Sequence, residues 1–250
     1  MQPTLCMVGG CNGAGKTTLA RELLPMLGIR RFLNVDEIAR GLSPLDASLS
    51  AFRAGRILHE ESRHLMRTQS SFAIESTLSG NTYIALLQQA KERGYRIMIH
   101  YLVIRSAMQA VERVALRVAL GGHHVPDADV HRRFERSRRQ ALTRYLPLAD
   151  EWTVWDNEFP PPVPIAHQST STLRDLTAML NRKGFQEEPP VEMSAMTELM
   201  LEAARRATAK MLDLYQRHGI EVTPQMTLAR AAEATPQEPR DLRPHMPALG

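Results

Sequence analysis

The chain has few cysteines and no long apolar run. Its two cysteines, Cys6 and Cys11, cannot build a disulfide scaffold, and their five-residue spacing matches no metal-binding motif. No apolar stretch approaches the roughly 18 residues that a membrane span requires, and the N-terminus lacks the basic and then apolar pattern of a secretory signal. We therefore expect a cytoplasmic protein that does not interact with a membrane.

Lysine and aromatic residues are also scarce. Only four of the 31 basic residues are lysine, and 27 acidic residues nearly balance the basic ones. Because the arginines are spread over the whole length, no solid basic face is indicated. Aromatic residues make up 5% of the chain, so platforms for stacking nucleic acid bases are few. The composition does not favour a nucleic acid partner.

Short apolar segments alternate with helical stretches along the first two thirds of the chain. Strands are predicted at 4–10, 30–36, 71–76, 95–104 and 151–157, and a short segment "PIAHQ" is a candidate to pair with the last of them. This alternation is typical of parallel βαβ units. It predicts an α/β fold of three layers, α/β/α, with a mainly parallel five-stranded sheet, and ligands that bind beyond the carboxyl ends of the strands.

The segment GCNGAGKT from Gly10 to Thr17 matches the phosphate-binding loop pattern G-x-x-x-x-G-K-[ST] in full. The rival dinucleotide pattern G-x-G-x-x-G fails, because the later glycines that it requires are absent. The loop predicts binding of ATP or GTP with Mg²⁺, with Thr17 as the metal ligand and Lys16 at the β- and γ-phosphates. The predicted nucleotide-binding residues are Gly10, Asn12, Gly13, Ala14, Gly15, Lys16, Thr17 and Thr18.

Two carboxylates follow predicted strands. Asp36 could activate the hydroxyl of a phosphoryl acceptor, or it could cap a helix that begins at Glu37. Glu75 could hold substrate hydroxyls or a metal-bound water, or it could pair with an arginine such as Arg56. The residue types leave both pairs of alternatives open.

Arginines cluster in two predicted helices on either side of the segment GGHHVP. An arginine-bearing helical pair beside a phosphate site is what a lid for phosphoryl transfer requires, because it excludes water and neutralises charge. His123 and His124 fit a hinge or a phosphate contact better than a metal site, since no third ligand has a suitable spacing. The candidates for the lid include Arg113, Arg117, Arg132 and Arg133.

Together these motifs resemble the zeta-toxin-like P-loop kinases. The segments that carry the resemblance are GGCNGAGKTT, NVDEIARGLSP, FAIESTLSG, ERVALRVALGGHHVP and RRFERS, over about residues 4–160. The likeness is strongest to the branch with GGHxVP and RRF motifs, often labelled predicted ABC-type ATPases. Zeta toxins use ATP to phosphorylate the 3′-hydroxyl of the sugar in UDP-N-acetylglucosamine.

The resemblance implies roles for individual residues. Lys16 and Thr17 would bind the triphosphate and Mg²⁺, and Asp36 would be the base. Glu75 and Thr77 would contact the sugar-nucleotide, Glu61 (or Glu60) would assist them, and Arg113 would be the first lid arginine. Beside the resemblance, the predicted acceptor-binding set also includes Arg56 and His123, and Arg132 and Arg133 are predicted to contact the nucleotide. Arg117, Arg132 or Arg133 could supply the charge of a lid arginine that this chain lacks. The chain departs from the toxins at GGHHVP, where they carry A-R-A-T-P and His123 takes the place of an arginine. The acceptor therefore stays open.

The sequence divides into a kinase domain over 1–185, a helical extension over 186–220 and a disordered tail over 221–250. Apolar residues spaced by three and four over 191–217 form a continuous stripe. The stripe could fold back onto the kinase domain, self-associate, or bind a neutralising antitoxin. For the activity, a kinase acting on a small substrate competes with a polynucleotide or nucleotide kinase and with a switch that only hydrolyses its nucleotide.

Overall fold

The fold is built around a single six-stranded sheet. The structure is a computed structural model of the chain that describes residues 2–119, 124–159 and 161–181. The strands are β1 Thr4–Gly9, β2 Phe32–Leu33, β3 Phe72–Ser76, β4 Arg96–Val103, β5 Glu151–Asp156 and β6 Val163–His167. They lie in the order β2-β3-β1-β4-β5-β6. All neighbours are parallel except β5 and β6. Because β3 and β4 lie on opposite sides of β1, a crevice for ligands is expected at the carboxyl end of β1.

Seven helices accompany the strands in the described part of the chain. They are α1 Lys16–Met26, α2 Val35–Leu42, α3 Ala51–Arg67, α4 Ile84–Glu92, α5 Ala107–Ala119, α6 Asp127–Gln140 and α7 Leu173–Leu180. A short 3₁₀ turn at Ala47–Ser50 leads into α3, and a π-helical turn at Ala141–Tyr145 continues α6. The arginine-bearing helix that follows GGHHVP therefore ends in this π-helical turn.

Apolar side chains cover both faces of the sheet. Because successive residues of a strand point to opposite faces, Leu5 and Met7 join one core with residues of α3, α4 and α7. Cys6 and Val8 join a second core with residues of α1, α5 and α6. The three-layer α/β/α arrangement predicted from the sequence is confirmed.

The observed sheet has six strands, one more than the five predicted from the sequence. The segment that follows β5 forms β6, an antiparallel edge strand. Pro164 is compatible with this place, because an edge strand leaves one row of backbone groups unpaired. The second strand is also shorter than predicted, since Asn34 already caps α2.

Several expectations concern residues outside the described part of the chain. They are the domain boundary at 185, the striped helix over 191–217 and the tail over 221–250. All described residues except Ala119 belong to one compact unit. None of the described helices combines the length and the apolar character that crossing a membrane would require.

His100 on β4 is a buried titratable group in the second core. Trp155 Nε1 donates a hydrogen bond to His100 Nδ1 at 3.2 Å, while His100 Nε2 has no hydrogen-bond partner among the described residues. Burial lowers the pKa of His100 to about 4; Glu151 opposes this shift and His167 adds to it. The folded protein thus holds this imidazole neutral.

This burial predicts a pH-dependent stability. In the unfolded chain His100 takes up a proton near pH 6.5, but in the folded protein only near pH 4. The free energy of unfolding should therefore fall as the pH drops from 6.5 to 4, by up to about 3 kcal/mol. Urea unfolding at several pH values checks this, and His100→Gln should flatten the dependence while His64→Gln, at an exposed histidine of α3, should not. Equal slopes for His100→Gln and wild type would contradict the assignment.

Candidate functional site

The phosphate-binding loop (residues 10–17) connects β1 to α1 and depends on its glycines. Gly13 has a φ of 76°, and a Cβ there would lie 2.8 Å from the carbonyl oxygen of Ala110. Gly15 precedes α1 in a left-handed conformation, and no side chain caps the helix. Free N–H groups at a helix N-terminus favour an anion. Asn12 and Ala14 are buried in the loop, and Thr18 is exposed.

Glu75, at the carboxyl end of β3, accepts hydrogen bonds from two parts of the site. Thr17 Oγ1 and Asn34 Nδ2 each donate to Glu75 Oε2 at 2.8 Å. Lys16 Nζ lies 4.0 Å from Glu75 Oε1 and donates to the carbonyl of Cys11 at 2.9 Å. Glu75 therefore joins the phosphate-binding loop to the start of α2.

The alternative pairing of Glu75 with Arg56 is wrong. The Arg56 guanidinium carbon lies 5.9 Å from the centroid of the Phe52 ring on the exposed side of α3. The reason is one of topology: β1 and β3 are adjacent parallel strands, so their carboxyl ends bring Glu75 to Lys16 and Thr17 instead.

The alternative in which Asp36 caps a helix is also wrong. Helix α2 begins at Val35, and the side chain of Asn34 accepts hydrogen bonds from the backbone N–H groups of Asp36 and Glu37 at 2.8 and 3.3 Å. Asn34 therefore supplies the cap, and the exposed carboxylate of Asp36 is left for another role. An asparagine directly before a helical segment is a signal that could have identified this cap from the sequence.

The two functions of Asn34 can be separated by two substitutions. Asn34→Ala removes both the cap and the donor to Glu75, and we expect it to lower the free energy of unfolding by about 1 kcal/mol and to weaken nucleotide binding. Asn34→Ser keeps a hydroxyl oxygen for the cap but removes the amide that donates to Glu75. It should therefore lose less stability than Asn34→Ala yet bind nucleotide less tightly than the wild type. Denaturant unfolding and calorimetry measure both effects; unchanged nucleotide binding by both variants would contradict the link to Glu75.

The remaining residues predicted on the acceptor side lie apart from this cluster of hydrogen bonds. Thr77 Oγ1 and Ser79 Oγ are 2.9 Å apart in the loop after β3. Glu61 is half-buried on α3. His59 on α3 stacks on Tyr83, with ring centroids 5.7 Å apart. Burial raises the pKa of Tyr83 to about 12, with smaller effects of Tyr145 and Asp36.

Arg113 of α5 contacts the back of the phosphate-binding loop. Its guanidinium donates to the carbonyl of Gly13 at 3.4 Å and to the carbonyl of Glu158 at 2.6 Å. Burial lowers its pKa, and the thiol of Cys11 and the carboxylate of Glu158 oppose this shift. In this structure Arg113 ties the loop to the segment after β5.

The other predicted lid residues lie farther along the two helices. Arg117 is half-buried on α5. Arg132 and Arg133 both pair with Asp129 within α6, at 2.8 and 3.5 Å. His123 is outside the described residues.

The segment after β5 adds contacts to the site: Asn157 and Arg105 were candidates from their place at strand ends alone, and the sequence did not single out Glu158. Asn157 Nδ2 donates to the carbonyl of Ala14 in the phosphate-binding loop at 2.8 Å. Buried Glu158 forms an ion pair with Arg105, and its carbonyl accepts from Gln109 at 3.0 Å. Burial raises the pKa of Glu158, while Arg105 opposes the shift. Their position at strand ends was the available signal.

Comparisons with known proteins identify the family to which this chain belongs. Residues 5–141 match the AAA_33 family, described as an AAA domain. An uncharacterized protein of Haemophilus influenzae is 30% identical over 134 residues, which are 54% of this chain and 94% of that protein.

Two solved structures share the fold. One comes from the PezAT chromosomal toxin-antitoxin system of Streptococcus pneumoniae, with 17% identity, a TM-score of 0.64, and coverage of 81% of this chain and 87% of that chain. The other is AvrRxo1-ORF1:-ORF2 with ATP, with 17% identity, a TM-score of 0.58, and coverage of 75% and 65%. The family match covers more than half of the chain, and the similar structures confirm the fold expected from the motifs. The chain belongs to the AAA domain family and has the fold of a zeta-toxin-like P-loop kinase.

Proposed function

We propose that this protein transfers the γ-phosphoryl group of ATP, or of GTP, to a hydroxyl group of a small substrate. The observation that carries the proposal is that Glu75 accepts hydrogen bonds from both Thr17 and Asn34. These bonds join the donor loop to the start of α2, where the exposed carboxylate of Asp36 follows. A nucleotide sugar such as UDP-N-acetylglucosamine is the first acceptor to test, because the sequence motifs resemble those of the zeta toxins.

The residues present fit a magnesium nucleotide. Thr17 and Glu75 offer hard oxygen donors, and Mg²⁺ in kinases is typically held by one or two protein groups together with phosphate oxygens. Among the described residues no group of three or more His, Cys, Asp or Glu side chains is placed to hold a metal ion. Bound Mg²⁺ would supply electrostatic stabilisation of the phosphate charge.

The chain's own residues divide the work of transfer. Lys16 neutralises charge on the β- and γ-phosphates, and the N–H groups of the loop hold their oxygens. Asp36 accepts the proton of the acceptor hydroxyl, whose oxygen bonds to the γ-phosphorus as the bond to the β–γ bridging oxygen breaks. The proposed acceptor contacts are Glu75, Thr77, Glu61, Arg56 and His123. The proposed lid arginines, which exclude water and balance charge, are Arg113, Arg117, Arg132 and Arg133.

A protein partner is part of the proposal. The two similar structures come from a toxin-antitoxin system and from a two-protein complex, which supports an antitoxin for this chain. Expression of the wild type in bacteria should then arrest growth, and Lys16→Ala should relieve the arrest. Equal growth arrest by both forms would count against an activity-dependent toxin.

The test of the function is a panel of acceptors. The protein is incubated with ATP labelled at the γ-phosphate and with UDP-sugars, nucleosides or oligonucleotides, and the products are separated. Label in a UDP-sugar supports the proposal. Label only in oligonucleotides or nucleosides would indicate a polynucleotide or nucleotide kinase. Label only in free phosphate would indicate a switch that hydrolyses its nucleotide.

A further inference from the structure

The loop that follows β3 (residues 77–83) has an unusual backbone. Leu78 is buried and has a φ of 52°, in the left-handed region that residues other than glycine rarely occupy. Such a conformation persists only where the surroundings hold it. The same loop carries Thr77 and begins two residues after Glu75, so its shape determines what faces the acceptor.

One restraint on the loop comes from β1. Gly9, the last residue of β1, packs against the Leu78 side chain so closely that a Cβ on Gly9 would lie 2.8 Å from Leu78 Cγ. Ser76, the last residue of β3, also holds the loop, because its Oγ accepts a hydrogen bond from the Leu78 backbone N–H at 3.1 Å. These contacts fix the first half of the loop against the strand that leads into the phosphate-binding loop.

A second restraint comes from the end of the lid helix. The hydroxyl of Tyr145 donates to the carbonyl of Gly80 at 2.6 Å. Apart from Ser76 of β3, no other described side chain from outside the loop makes a hydrogen bond to residues 77–80. Tyr145 is buried and belongs to the π-helical turn that continues α6, and such turns are frequent at functional sites.

We propose that Tyr145 is a positioning residue for the acceptor: its hydroxyl holds the loop of residues 77–83 in the shape that places Thr77 against the acceptor, beside Glu75 at the end of β3. Because Tyr145 follows α6 directly, it also connects the arginine-bearing lid to the acceptor loop. This inference rests on the proposed function, since it assigns the loop to acceptor binding. It adds no group to the chemical step.

Tyr145→Phe tests the inference, with Tyr95→Phe as a matched control. Tyr95 is also buried, and its hydroxyl donates to the carbonyls of Leu65 and Ser70 at 2.9 Å each, away from the acceptor loop. For Tyr145→Phe we expect faster amide hydrogen exchange in residues 77–83 and a KM for UDP-N-acetylglucosamine raised about 10-fold, with the KM for ATP nearly unchanged. Tyr95→Phe should change neither value.

The outcomes separate the two proposals. Unchanged exchange in the loop of Tyr145→Phe, or equal changes in both KM values, would overturn the positioning role. If the wild type labels no acceptor at all, the proposed function fails, and the exchange measurement alone decides whether Tyr145 holds the loop.

Discussion

Asp36→Asn is expected to lower the rate of phosphoryl transfer by about 10²- to 10⁴-fold, the usual loss when a general base is removed. The substitution conserves shape and removes only the ability to accept a proton. Nucleotide binding should stay within a factor of two or so, because the loop residues and Glu75 do not hydrogen-bond to the Asp36 carboxylate. Single-turnover transfer and nucleotide titration measure the two quantities separately.

The adjacent carboxylate provides a matched control. Glu37 is also exposed, lies in the same first turn of α2 and is capped by the same Asn34. Both substitutions remove one negative charge near a helix N-terminus, which costs roughly 0.3–1 kcal/mol of stability in each case. Only Asp36→Asn should stop transfer, whereas Glu37→Gln should transfer at the wild-type rate. Equal rates for Asp36→Asn and wild type would remove Asp36 from the chemistry.

Lys16→Met is expected to weaken binding of the nucleotide about 10- to 100-fold, since a hydrogen bond to a charged group contributes about 1.5–3 kcal/mol. Transfer should fall further, because Lys16 also balances charge that develops as the phosphoryl group moves. Lys16 is 8% exposed, and methionine keeps the apolar stem of the side chain. Calorimetry of nucleotide binding and single-turnover transfer check the two effects.

Lys91→Met is the control for Lys16. Lys91 pairs with Asp150 at 3.0 Å on the surface, so its loss should alter neither binding nor transfer. Nucleotide affinity that survives Lys16→Met unchanged would mean that the loop does not hold the phosphates.

The donor side of the site could be predicted because its signal is local. The loop of residues 10–17 combines glycines, Lys16 and Thr17 in one contiguous segment, and the strand before it and the helix after it are both readable from periodicity. The parallel strands were readable for the same reason. The left-handed turns at Gly13 and Gly15 follow from the residue type alone.

The acceptor side could be predicted only in part because it depends on contacts between distant segments. That Asn34 donates to Glu75 depends on the register of β2, β3 and β1, which no local pattern specifies. The hydrogen bond from Tyr145 to Gly80 spans 65 positions. The direction of an arginine such as Arg113 is likewise set by carbonyls from two separate loops.

The central claim is that the γ-phosphoryl group goes to an acceptor hydroxyl and not to water. The most direct measurement incubates the protein with ATP and UDP-N-acetylglucosamine in water enriched in ¹⁸O and analyses the products by mass spectrometry. We predict a phosphorylated acceptor that has gained no ¹⁸O, and its loss in Asp36→Asn. Free phosphate that carries ¹⁸O as the sole product, at equal rates in both proteins, would contradict the account.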